Sequence, residues 1–166
     1  MTAVFDIRNY LGKWYELLHY PTWFQRNDNY NTTAEYSMNA DGTVRVVNST
    51  IAQGKPFTSI GTGRYLGNRS MNVKFDMPEV AKLAMSKEFK PPVEYSNPNG
   101  PNYVVDSFWV NCQGEYEASV VTTPERNTLW VLCRTPSPSL AFYNEIMAYV
   151  VAKFDRDRLV QTPHYR

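Results

Sequence analysis

Two histidines (His19 and His164), two cysteines (Cys112 and Cys133) and Glu16, set beside Trp14 and Tyr15, are the side chains that could carry nucleophilic, acid–base or metal chemistry in this 166-residue chain. Catalysis of that kind needs a nucleophile or proton carrier held within hydrogen-bond reach of a partner, and neither histidine stands in a recognisable pairing. The two cysteines are too few for a disulfide framework and too far from any histidine pair to suggest a metal site. They read as two buried thiols acting as small hydrophobes, or as a single bridge. Glu16 could be cast as half of an acid–base pair, but a glutamate in such aromatic company reads better as a satisfied structural acid or a ligand anchor. The expectation is therefore no enzyme, no cofactor and no metal. Non-covalent chemistry remains, and its instrument is an aromatic content of 14%, led by twelve tyrosines and four tryptophans.

The elements that must position these residues show strand periodicity. Residues 13–20 form a first segment that is apolar on both faces. "TTAEYSM" sets Ala34, Tyr36 and Met38 on one face, "NADG" supplies a tight turn, and "TVRVVNSTI" resumes the extended pattern. "FTSIGTGRYLG" carries Gly61 and Gly63 on one face, where a strand bends sharply. "MNVKFD" sets Met71, Val73 and Phe75 against Asn72, Lys74 and Asp76. Residues 77–102 interrupt the meander with a short helix over 77–89 and a proline-rich loop, read as a surface insertion, a lid or a partner contact. "YVVDSFWVNC", "EYEASVVTT" and "LWVLCRT" then complete eight strands. "LAFYNEIMAYVVAKF", preceded by Ser139 as N-cap, spaces Leu140, Tyr143, Met147, Val150 and Phe154 as one helix face. "RLVQT" could add to a sheet edge.

Length and a hydrophobic content of 43% suit one domain over 1–166. A net charge of +1 with interspersed signs argues against nucleic acid as a partner. No apolar run approaches a membrane span. Met1 to Arg8 carries charges where a secretory leader would be apolar. The chain reads as soluble as written, with secretion, a periplasmic location or membrane association open if a leader was removed. Asn31, Asn48 and Asn68 head Asn-x-Ser/Thr triplets, which matter only after secretion.

Eight antiparallel strands without βαβ crossovers close naturally into an up-and-down barrel, with the C-terminal helix packed outside. Such a barrel either fills its lumen or holds one small ligand. The first strand is then greasy on both sides because one face meets the lumen and the other the helix. Alternation nominates as lining Ala34, Tyr36 and Met38; Met71, Val73 and Phe75; Trp109 or its neighbour Phe108; and Tyr116, Ala118 and Val120. Each could equally be core. Arg45, Arg64 or Lys74 near the mouth could complement a head group.

Three blocks, "LGKWYEL", "TAEYSMNADGTVRVVN" and "EYEASVVTTPERNTLWVLCRTPS", together resemble the lipocalins, specifically the branch of bacterial lipocalins, apolipoprotein D and plant temperature-induced lipocalins. The resemblance spans nearly the whole chain, although the 77–102 insertion is longer than that branch implies. It implies a signature of Gly12, Trp14 and Arg134, with Trp14 plugging the closed end and Arg134 lying across its indole. It also matches Tyr116 to a tyrosine whose hydroxyl would meet a lipid carboxylate or phosphate. A lipocalin subgroup isomerises prostaglandins with a lumenal cysteine on an early strand, whereas Cys112 and Cys133 fall on the sixth and eighth. The expected function is binding and carriage of a fatty acid, lysophospholipid or similar lipid. The alternatives are a cavity enzyme such as an isomerase, and a module using the mouth or the insertion for peripheral membrane or partner contact.

Overall fold

The computed structural model describes residues 4–22, 27–76 and 99–165. Its strands are β1 (Gly12–His19), β2 (Tyr30–Met38), β3 (Val44–Ala52), β4 (Lys55–Gly67), β5 (Ser70–Asp76), β6 (Tyr103–Val110), β7 (Tyr116–Thr122), β8 (Leu129–Cys133) and β9 (Val160–Gln161). Each of the first seven pairs antiparallel with its successor, and β1 pairs with both β2 and β8. The ring is therefore closed, which leaves the first eight strands without free edges. The ninth strand joins β1 opposite Leu18 and His19. The helix expected over 77–89 lies outside the described residues, as does most of the 77–102 insertion.

One end of the barrel is shut by the chain's own start. Asp6 caps the short helix α1 (Ile7–Tyr10) by accepting from the Arg8 amide, and Phe5 packs on Tyr10, Phe108 and Tyr116. The thinnest seam is β5–β6, which pairs only at Ser70↔Val104 and Met71↔Tyr103. Asn102 extends it, because its side-chain amide accepts from the Val73 amide and donates to the Val73 carbonyl, both at 2.8 Å, in place of a backbone pair.

Buried residues fall into two clusters. The lumen cluster gathers Trp14, Tyr36, Val44, Val46, Met71, Val73, Val105, Tyr116 and Val121 around Tyr10. The second lies outside the barrel, where α2 (Leu140–Lys153) lays Ile146 and Val150 on Leu17, Leu18, Ala118, Val120 and Val131. Burying each such aliphatic side chain contributes roughly 1.5–3 kcal/mol. Ser139 caps α2 by accepting from the Phe142 amide. The helix face differs from the expected one in its centre: Ile146 and Val150 are fully buried, Tyr143, Met147 and Phe154 flank them, and Leu140 is 73% exposed in the first turn.

Register shifts on β1, β6 and β7 separate sequence alternation from the observed faces. Val105 and Val121 are partners, and the next pair is Ser107 with Val120, so Asp106 is an extra residue on β6. Trp109 pairs with Ala118 and Val110 with Tyr116, so Glu117 is an extra residue on β7. On β1 the pairs Glu16↔Leu132 and Leu18↔Val131 make Leu17 the extra one. Each bulge flips the side chains beyond it to the other face.

Candidate ligand-binding site

The closed end is built on Trp14, which is fully buried and donates from Nε1 to the Tyr10 carbonyl at 2.8 Å. Arg134 lies over its indole, with Cζ 3.8 Å from the ring centroid. The guanidinium also donates to the carbonyls of Tyr116, Lys13, Asn9 and Leu11 at 2.8–3.1 Å, tying β7, β1 and α1 together. Gly12 completes the device. Its φ is +107°, and a Cβ there would sit 3.0 Å from Arg134 Nη1, so only glycine both adopts the backbone and admits the arginine.

Above this plug, four hydroxyls form a buried chain. Tyr36 meets Tyr103 at 2.8 Å, Tyr103 meets Tyr10 at 2.6 Å, and Tyr10 meets Ser119 at 3.0 Å. Burial pushes the Tyr10 phenol up to about 12, and burial likewise holds Tyr36 and Tyr103 well above the usual phenol range. All three are neutral at any physiological pH.

The opposite half of the lumen has a different character. Strand pairing aligns Tyr36, Val46, Gly61 and Phe75 in one inward row, with Ala34, Asn48 and Ser59, and then Thr50 and Phe57, in rows nearer the mouth. Gly61 is needed there because a Cβ would stand 2.7 Å from the Lys74 carbonyl and 2.9 Å from the Phe75 ring. Phe57 and Phe75 face inward yet are 56% and 43% exposed, so the described residues leave their rings uncovered. Thr32 and Thr50 hydroxyls meet at 2.7 Å across this wall.

The structure brings Tyr36, Met71, Val73 and Tyr116 into the lumen cluster. Met38 and Phe75 share the inward faces of their strands, but Met38 ends β2 at the closed rim and is exposed. Trp109, Ala118 and Val120 are instead part of the helix-side cluster, with Trp109 edge-on to Tyr149 at 5.7 Å. This corrects the alternation: the bulges at Asp106 and Glu117 turn these three outward and Phe108, Val110 and Ser119 inward. Leu18 likewise leaves the face of Trp14 for the helix side. The Tyr116 hydroxyl accepts from the Asp6 amide at 2.7 Å and donates to the Val4 carbonyl at 3.3 Å, so it serves the N-terminal segment rather than a head group. Arg45 and Lys74 flank Thr62 on the outer face, opposite in parity to Val46, Gly61 and Val73, and Arg64 shares that face. Cys112 is exposed rather than buried; Cys133 is buried, and both are free thiols.

Sequence reasoning passed over Tyr10, Tyr103 and Ser119, and also over a pairing of His19. Thr162 donates to Glu16 Oε2 at 2.6 Å, and His19 Nδ1 stands 3.1 Å from the Thr162 hydroxyl and 3.3 Å from Glu16 Oε2. His164 Nε2 lies 2.6 Å from the Glu16 carbonyl. Asn31 donates from its backbone amide to the Pro163 carbonyl at 2.9 Å. The C-terminal segment is thereby laced to both β1 and β2. Nothing near Glu16 in sequence announces partners 146 and 148 residues away. The triad anchors β9, and all three side chains are buried. Among the described residues, no three metal-ligating side chains converge, and no helix is long and apolar enough to cross a membrane. A polar groove of about 600 Å³ lies outside at the closed end, between Asn9 and the β6–β7 hairpin, bordered by Glu115, Glu117 and Arg134.

A closed ring of eight strands, a glycine–tryptophan–arginine plug and a helix on the outer wall form one pattern, and residues 5–164 match the lipocalin-like domain family. The chain belongs to the lipocalin family. It is 29% identical over 160 residues to temperature-induced lipocalin-1 of Arabidopsis thaliana, covering 95% of this chain and 78% of that one. It is 26% identical over 157 residues to the outer membrane lipoprotein Blc of Escherichia coli K12, covering 94% and 77%. Among solved structures, apocrustacyanin C1 superposes with a TM-score of 0.65 at 13% identity, covering 97% of this chain and 81% of that one. The cockroach allergen Per a 4 superposes at 0.62 and 16% identity, covering 97% and 89%. At such identities these two show the shared fold alone. Lipocalin homologues generally bind small hydrophobic ligands and are typically binders rather than enzymes.

Proposed function

We propose that this lipocalin binds and carries one small lipid-like molecule in the open half of its barrel, of the size of a fatty acid or a lysophospholipid. The observation that supports this reading is the pair of inward-facing phenylalanines, Phe57 and Phe75, which the described residues leave 56% and 43% exposed beside a buried lumen cluster. Ligand burial against such a preformed wall contributes roughly 25 cal/mol per Å² of apolar surface, with little ordering cost. No catalytic step is assigned. The His19 cluster is fully enclosed, and its hydrogen bonds hold the C-terminal strand.

Two measurements test the proposal. Organic extraction of the purified protein followed by mass spectrometry should release one lipid class in near-stoichiometric amount. Titration of the delipidated protein with hexadecanoic acid should quench tryptophan fluorescence saturably at one-to-one. No extracted lipid together with no saturable quenching by fatty acid or lysophospholipid would sink it.

A further inference from the structure

The buried hydroxyl chain carries more protons than its own hydrogen bonds use. Tyr36, Tyr103, Tyr10 and Ser119 carry one donor each, and three hydrogen bonds join them in a line. Three bonds use three protons. One O–H at the lumen floor therefore has no acceptor among the described residues. A buried donor left without an acceptor is costly, and a ligand that supplies the acceptor recovers that cost. Three of the four side chains are sealed, while Tyr103 alone keeps partial exposure. It is also the only phenol bonded to two others. It can accept from Tyr36 and Tyr10 and aim its own proton into the lumen.

The charge of the surroundings narrows what can accept that proton. The phenols are neutral, the cations anticipated near the mouth lie on the outer face, and the Arg134 guanidinium is held by four backbone carbonyls on the far side of Trp14. An ionised head group would be desolvated there without a counter-charge. A neutral carbonyl or hydroxyl oxygen would not.

We infer that the Tyr103 hydroxyl is a ligand-recognition group at the floor of the lumen, selecting lipids whose buried end carries a neutral hydrogen-bond-accepting oxygen, such as a ketone, aldehyde, ester or alcohol. This rests on the carrier reading above and names the ligand chemistry for it. The selectivity belongs to the hub and not to the barrel.

The test compares hexadecanoic acid with 15-oxohexadecanoic acid, which differ only by a ketone near the end that enters first, by fluorescence titration of the delipidated protein. Wild type should bind the keto acid roughly three- to tenfold more tightly. Tyr103→Phe should abolish or reverse that preference. Tyr36→Phe removes one hydroxyl and one hydrogen bond together, leaving three donors and two bonds, so it should keep the preference. A merely structural role for the network predicts that both variants behave alike. Equal affinities of wild type for the two acids, or a preference that survives Tyr103→Phe, would overturn the inference while leaving the carrier function intact. Failure of wild type to bind either acid would overturn the inference, and if in addition no lipid is extracted and no lysophospholipid binds, the carrier reading falls with it.

Discussion

The two ends of the barrel treat polar atoms in opposite ways. At the closed end Trp14 Nε1, four donors of Arg134 and the Tyr116 hydroxyl all have protein partners, and α1 with Phe5 covers the opening. In the other half the inward-facing Asn48 Oδ1 is buried without a hydrogen-bond partner among the described residues, and the described residues leave the Phe57 and Phe75 rings uncovered. Saturated hydrogen bonding and close packing make an end that resists change. Unmet hydrogen-bonding capacity and bare apolar surface make one that gains from a guest. The stability of this lipocalin is concentrated at one end and its binding potential at the other.

That contrast can be broken most forcefully at Trp14. Trp14→Ala empties a fully buried site and removes the platform of Arg134, and should cost about 3–5 kcal/mol, read from the urea unfolding midpoint. Next comes alkaline pH. The Tyr10 pKa is raised in the folded state to about 12 against an ordinary value of 10, so its contribution is complete below pH 10 and is lost as pH rises towards 12. Stability should fall by about 2–3 kcal/mol over that window, and less steeply in Tyr10→Phe, measured by denaturant titration at each pH. Gly12→Ala should cost about 1–3 kcal/mol, because it strains a positive-φ residue and crowds Arg134; thermal unfolding would show it, and a neutral result would refute the steric account. The smallest effect on stability, and the most telling one, belongs to the open half. Phe75→Ser should change stability by less than about 1 kcal/mol yet weaken hexadecanoic acid binding several-fold, since the ring is 43% exposed and faces the lumen. A large stability loss without an affinity loss would place Phe75 in the core and erase the distinction between the ends.

A milder acid-side counterpart sits on the outer wall. Burial raises the Asp106 pKa, but bonds from Arg126 at 2.7 Å and from Tyr149 outweigh it and leave the carboxyl below its usual range. A depressed carboxyl stabilises above its unfolded pKa, and that contribution fades as pH falls below about 4. The same bulged residue that turns β6 thus also clamps α2 and the β7–β8 turn, since Tyr149 lies on α2 and Arg126 in that turn.

Much of the architecture was legible along the chain. Alternation in residues 34–38 and 71–75 has a period of two, which is also the period of an undistorted strand, so Tyr36 and Val73 could be placed inside without coordinates. Gly12, Trp14 and Arg134 were legible only through the resemblance of their sequence blocks to a known family, since the glycine's φ and the arginine's cover of the indole join positions far apart in the chain. The β6–β7 hairpin was not. Trp109, Ala118 and Val120 carry the same apolar signal as true lining residues, and only a bulge, set by how neighbouring strands twist around the ring, sends them under α2.

The order of residues along the chain was enough to show that these segments form strands and that the strands are numerous enough to close, because propensity, alternation and turn chemistry act over a few residues; the guards of the closed end came from the family resemblance. Tertiary structure decided which face each side chain beyond a bulge would take. It also decided which hydroxyls would meet and which polar atoms would be left wanting. Those outcomes depend on contacts spanning more than a hundred residues, such as Tyr10 with Ser119 and Glu16 with Thr162, and no local pattern encodes a distance across a closed ring.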